Sequence, residues 1–256
     1  MSKQKQKRKL GPLSILSLVR ELRRGSGDQR PLAVAGAREL VPLLARELRA
    51  GGDPAAVVEE SLENVSVLVW VGAPDEVKLR QASRAGVPIV AVTDADNVPY
   101  VLATDLVRIP PGSGFPVPEI AVAVARRLGE DGTALAARLP TLRQAVCDEL
   151  IRSFSRRNAI TAAAVFVPGL DMPVLTLNQA RLVLRLALAH GQDIDNARAV
   201  ELLGVVGTGF GLRAVARELL DLVPVAGWAL KGAVAYAGTR AIGEAAVRYF
   251  AARTET

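Results

Sequence analysis

Along the first half of the chain, short unbroken apolar runs alternate with stretches whose apolar residues recur every three or four positions. The runs are PLAVAG (31–36), VSVLVWV (65–71), VPIVAV (87–92) and a shorter one at 106–109. None alternates apolar with polar, so each predicts a strand covered on both faces. Between them, residues 38–50 (RELVPLLARELRA) have helical spacing and are closed by Gly51 and Gly52. Residues 75–85, with Gly86 after them, and 117–128 read the same way. Strand and helix in alternation predict an α/β domain: a doubly wound, mostly parallel sheet with helices on both faces.

Beyond about residue 133 the strand signal stops. Helical spacing runs through 141–165, breaks at VPGLDMP (167–173), and resumes at 174–190, 194–206, 212–222 and 228–252. This is an all-α part. At the other end, Lys3, Lys5, Lys7, Arg8 and Lys9 make a basic tail, and residues 13–24 (LSILSLVRELRR) follow as a short amphipathic helix bearing Leu13, Ile15, Leu16, Val19 and Leu22. The expected organisation is therefore a tail and helix (1–29), an α/β domain (30–132) and a helical domain (133–256).

Charge changes this picture in one respect. The net charge is +6, and after the tail the only lysines are Lys78 and Lys231; the remaining cations are Arg. Half of the 256 residues are hydrophobic, enough for a substantial core. Cys147 is the only cysteine, so no internal disulfide forms and no oxidising compartment is implied. No signal-type apolar run follows the basic N-terminus, which leads to the expectation of a cytoplasmic protein. The charge-free stretches, 158–170 with Pro168 and Gly169 inside it and another bounded by Glu201 and Arg213, fall short of the ~20 apolar residues a spanning helix needs.

The first strand and its turn invite comparison with the phosphate loop G-x-x-x-x-G-K-[ST], in which backbone amides wrap phosphates, Lys neutralises them and a hydroxyl holds magnesium. Gly36 stands at the first position. The second glycine position is Val41, the lysine position Pro42 and the hydroxyl position Leu43, so none of the three required groups is present. Further on, VPIVAVTDAD places Thr93, Asp94 and Asp96 at the guanine-reading Asn-Lys-x-Asp motif, and only Asp96 matches. Residues 52–65 hold no Asp-x-x-Gly switch, and IPPGSG (109–114) occupies the place of the loop beside the base. The half thus resembles a degenerate P-loop small GTPase. The leading expectation is a domain with no catalytic residue, cofactor or metal. The alternative is GTP binding at an atypical site built from Gly36, Asp96, Gly112 and Gly114.

The second half carries its own resemblance. Pro168, Asp171 and Pro173 in VPGLDMP, Leu177, Gln179, His190-Gly191, ELLGVVGTG (201–209), ARELLDLVPVAGW (216–228), Thr239, Gly243 and Tyr249-Phe250 together are similar to the YcjF-type domain of unknown function, which is often appended to small-GTPase-like domains in bacteria. The resemblance covers about a third of the chain. It implies a partner of GTPase modules, often near membranes, with no catalytic residues to carry over.

Independently, Ala229, Ala233, Ala237, Ala241 and Ala245 recur every four residues in the last helix, and Gly204, Gly207 and Gly211 offer a similar smooth surface. Such a stripe lets another backbone approach closely. It is expected to serve tight internal packing, or else self-association or membrane insertion, and Ala237→Leu is expected to cost roughly 1–3 kcal/mol by overpacking. His190, the sole histidine, cannot form a His-pair metal site and reads as a cap at a helix end. The basic tail suits an anionic membrane surface; the lack of interleaved aromatics argues against nucleic acid. The sequence thus leads to the expectation of a non-catalytic interaction or scaffold protein, peripheral at the cytoplasmic face of a membrane, working with a protein partner such as a GTPase.

Overall fold

The strands form where the apolar runs predicted them, and the reason is burial on both sides. The computed structural model describes residues 18–20, 22, 27–109, 112, 114–164, 172–195, 199, 204 and 228–254. Strands β1 (Leu32–Gly36), β3 (Val67–Val71) and β4 (Ile89–Thr93) are almost wholly buried. They are flanked by two short edge strands, β2 (Val57–Glu59) and β5 (Leu106–Arg108). All five are parallel, in the order β2-β1-β3-β4-β5, with Val34 opposite Val69 and Val69 opposite Val90.

Alternate residues of the inner strands face opposite layers. Ala33, Ala35, Leu68, Trp70, Ile89 and Ala91 form one core with Leu79 and Ala82 of helix α2 (Glu76–Arg84). Leu32, Val34, Val67, Val69, Val71, Val90 and Val92 point the other way and are equally buried. Helices α1 (Val41–Arg49) and α3 (Val117–Leu128) complete the layers, burying Leu44 and Leu48, and Ile120 and Val124. The α/β expectation holds as a five-stranded, all-parallel sheet.

Two differences from the sequence reading have local causes. Strand β2 was not expected, because three residues carry too little pattern to register. Helix α1 begins at Val41 rather than near residue 38, because residues 37–40 close a turn in which the Leu40 and Val41 amides both donate to Ala37 O (2.9 and 3.0 Å). Pro42 then sits in the first helical turn, where its missing N–H costs nothing.

The chain divides into two compact units, one of residues 26–150 and 188–192, the other of 1–25, 151–187 and 193–256. The first includes α4 (Thr133–Arg138) and the start of α5 (Pro140–Ala164). Side-chain and backbone bonds explain why these helical residues belong with the sheet. Arg138 Nε donates to Asp53 (2.9 Å), Asp53 N donates to Arg138 O (2.9 Å), and Thr141 Oγ1 donates to Leu48 O (2.7 Å). Asp53 also accepts from Ala55 N, and that bond, then Arg138, holds its carboxyl below the usual carboxylate range.

The second unit is built from the remainder of α5, with α6 (Met172–Ala189) and α7 (Trp228–Thr254). Gly232 of α7 lets Ala159 and Ala163 of α5 come close, and Gly243 does the same for Ile151. The buried residues of α7 are Gly232, Thr239, Gly243, Ala246 and Phe250, with Ala245 beside them. The alanine stripe is therefore not the packing face along its length: Ala245 is buried, Ala241 is half-buried, and Ala233 and Ala237 are exposed. Ala229 and the expected Gly207–Gly211 surface lie outside the described side chains. Of the expected helix at 194–206, Ile194 and Asp195 are described and are not helical, Ala199 and Gly204 are helical, and the rest, like 212–222, lies outside the described residues. Leu18, Val19 and Leu22 are buried at 2 to 3 % exposure, so the apolar side of the N-terminal helix is covered by protein. Among the described residues, no helix is long and apolar enough to cross a membrane.

Candidate functional site

In an open parallel sheet, ligands bind beyond the carboxyl ends of the strands, where the order reverses. Here that place lies between β1 and β3. A parallel sheet brings Gly36 (end of β1), Asp96 (after β4) and the Gly112–Gly114 segment (after β5) to one edge. Strand spacing of ~4.8 Å sets Gly36 roughly 10 Å from the end of β4 and roughly 15 Å from that of β5.

The crevice at the switch point is filled by backbone. Gly36 has φ +135°, and a Cβ there would lie 2.1 Å from Val71 O. Ala37 N donates to that same oxygen (2.8 Å), and Gly72 N donates across to Val92 O (2.9 Å). The Ala37 methyl occupies the space in front of Gly72, since a Cβ on Gly72 would sit 2.8 Å from it.

A phosphate held at such a turn needs several amides aimed outward and a cation. The amides of Ala37, Leu40, Val41 and Leu44 are all used internally, and Pro42 has none. Leu43, at the position a hydroxyl would occupy, is exposed and apolar. Arg38 is exposed in the turn, with Glu39 next to it carrying the opposite charge. Lys78 in the first turn of α2 is held by Glu60 (3.5 Å) and lies 5.8 Å from the centre of the Trp70 ring.

The base-side residues are occupied too. Asp96 pairs with Arg108 of β5, and both side chains are largely solvated. An exposed pair of this kind contributes about 0–1 kcal/mol. Thr93 is buried and its Oγ1 accepts from Ala95 N (3.2 Å), closing the turn after β4; Asp94 is exposed. Gly112 has φ +76°, and Cβ atoms on Gly112 or Gly114 would meet nothing within 4 Å.

An open groove of about 470 Å³ runs between β5 and α3, lined by Leu106, Val107, Pro118, Val122 and Arg126. Arg126 is already engaged with Thr104 O (2.9 Å). No group of three or more potential metal ligands occurs among the described residues. His190 is buried beside Gly191, whose φ of +74° and amide bond to Leu188 O end helix α6. Cys147 is buried, and burial, then the charge of Asp148, pushes its thiol up to about 12, which keeps it protonated and unreactive at neutral pH.

The polar constellation the sequence reading missed lies in the helical unit. Asn178 Nδ2 donates to Asn158 Oδ1 (2.8 Å), and Asn158 Nδ2 donates to Thr239 Oγ1 (2.9 Å). Gln179 Nε2 also reaches Thr239 Oγ1 (3.4 Å). Asn158 and Thr239 are fully buried. One amide chain thus ties α5, α6 and α7 at a fixed register. It holds no titratable group, and its bonds link three helices. A signal was available: Asn158, Asn178 and Thr239 stand inside helices, where Asn and Thr are poorly suited unless bonded.

No family model matches the chain, and neither a curated protein nor a solved structure is found to be similar to it.

Proposed function

We propose that this chain is a non-catalytic interaction protein that works at an anionic membrane surface, with its α/β unit serving as a protein-binding scaffold in the manner of a GTPase-like domain without nucleotide. The observation that supports the first part is the filled turn after β1. The amides of Ala37, Leu40, Val41 and Leu44 are used internally, the lysine position is Pro42, and the Ala37 methyl packs in front of Gly72. Chemistry on a phosphate needs the opposite of each feature.

Charge supports the second part. The unit of residues 1–25, 151–187 and 193–256 holds 20 Lys and Arg against 9 Asp and Glu, whereas the sheet-containing unit holds 12 against 17. An excess of cations on one unit favours anionic partners for that unit. A GTPase or a second copy of this chain is the proposed protein partner, and the peripheral, cytoplasmic-face placement is part of the same reading. Fractionation of cells with separate salt and detergent washes tests it. Release by salt supports peripheral electrostatic attachment. Recovery wholly in the soluble fraction without any wash contradicts it.

A further inference from the structure

The unit charges do not say which surface meets the lipid. The tail helix is poorly placed for the task, because Leu18, Val19 and Leu22 are already covered by protein. Helix α5 offers a different surface. In its second half, Arg152, Arg156, Arg157 and Ile160 are all exposed, at spacings that put them on one side of a helix. From Ile151 to the end of α5 the sequence holds Arg152, Arg156 and Arg157 and no acid, with Asp148 and Glu149 one turn earlier on the same helix.

Apolar exposure coincides with this charge. Ile160 is 70 % exposed and Val174 of α6 is 47 % exposed, the large hydrophobics that stand open on the described part of this unit. The Asn158–Asn178 bond fixes the register of the two helices. The end of α5 and the start of α6 are joined by seven residues. Ile160 lies two residues beyond Asn158, and Val174 four before Asn178, so each sits toward the joined end of its helix. Arginines with apolar stems around exposed β-branched side chains make an interfacial pattern: heads reach phosphates while the stems and apolar residues enter the headgroup boundary. The Arg157 guanidinium lies 4.8 Å from the centre of the Phe154 ring.

We propose that this arginine-bearing face of α5, with Ile160 and Val174 at its tip, is the surface by which the protein docks on anionic phospholipid headgroups. The inference rests on the membrane reading above and adds where contact is made. The test uses the full chain and co-sedimentation with phosphatidylcholine vesicles with and without phosphatidylglycerol. Each basic residue near an anionic leaflet is worth roughly a fivefold change in affinity. Arg152→Glu combined with Arg156→Glu is therefore expected to weaken binding to the anionic vesicles at least about tenfold. Ile160→Ser is expected to weaken it with the salt dependence unchanged, and Arg46→Glu on the other unit to leave it as it was. Melting curves for each variant separate lost binding from lost folding, and Arg152→Gln with Arg156→Gln supplies a milder version if the reversal unfolds the chain. Full binding by the charge-reversed, folded variant, with loss only on removal of residues 1–24, overturns this surface but leaves the membrane reading standing. Absence of vesicle binding by the unaltered chain overturns both, as does binding to duplex DNA that anionic vesicles fail to compete.

Discussion

Gly36 meets Val71 so closely that the first carbon of any side chain would fall 2.1 Å from its carbonyl oxygen. The contact belongs to the paired ends of β1 and β3, where Gly36 stands opposite Val71 and the next amide, that of Ala37, donates to the same oxygen.

Replacing Gly36 by Ala tests this contact. The new methyl meets backbone, which cannot swing away, at a φ that side chains rarely adopt. Overpacking and strain together are expected to cost about 2–5 kcal/mol. The same change at Gly86, where φ is +71° and nothing lies within 4 Å, carries strain alone, about 1 kcal/mol. Urea melts of the two variants should differ accordingly.

The amide chain through Asn158 gives a second prediction. Asn158→Ala leaves Asn178 and Thr239 buried without this partner, for an expected loss of about 2–3 kcal/mol. Thr239→Val removes one end in similar volume. The double variant should be less unstable than the two losses added, because both remove the same bond. Additive losses would show that the bond contributes nothing of its own.

On the last helix, the packing row and the alanine stripe predict opposite outcomes. A Cβ on Gly243 would lie 2.6 Å from Ile151 Cγ1, so Gly243→Ala is expected to cost roughly 1–3 kcal/mol. Ala237 is exposed, so Ala237→Leu should change stability by less than about 0.5 kcal/mol. This reverses what the four-residue repeat alone suggested. Thermal melts of both variants decide between them.

Cys147 should resist alkylation in the folded protein. Its pKa, raised by burial to about 12, lies above the ordinary thiol value, so the folded state favours the neutral form. The sign follows: the associated stability is fully present below the unfolded value near 9 and declines as pH rises from there toward 12. Native labelling at pH 8 should be slow and become fast in denaturant. Rapid native labelling would contradict the burial.

The long elements were legible because each carried enough residues to show a period. Val67–Val71 read as a covered strand, and residues 38–50 showed a helical period within which α1 forms. The edge strand at Val57–Glu59 was not legible, since three residues cannot display a pattern. The alanine repeat misled for a related reason: periodicity shows that residues share a side of a helix, but not which side is covered. On α7 the covered side is set by where Gly232 and Gly243 admit α5. At the candidate site, the sequence showed which groups were missing from the turn. It did not show that the Ala37 methyl packs in front of Gly72, which depends on the pairing of β1 with β3.

The account stands or falls on whether the turn after β1 can take a nucleotide. Calorimetric titration of the purified full chain with GTP and magnesium is the direct measurement. The account predicts no heat of binding up to millimolar nucleotide. Tight, magnesium-dependent binding that disappears when Val41, Pro42 and Leu43 are altered would contradict it.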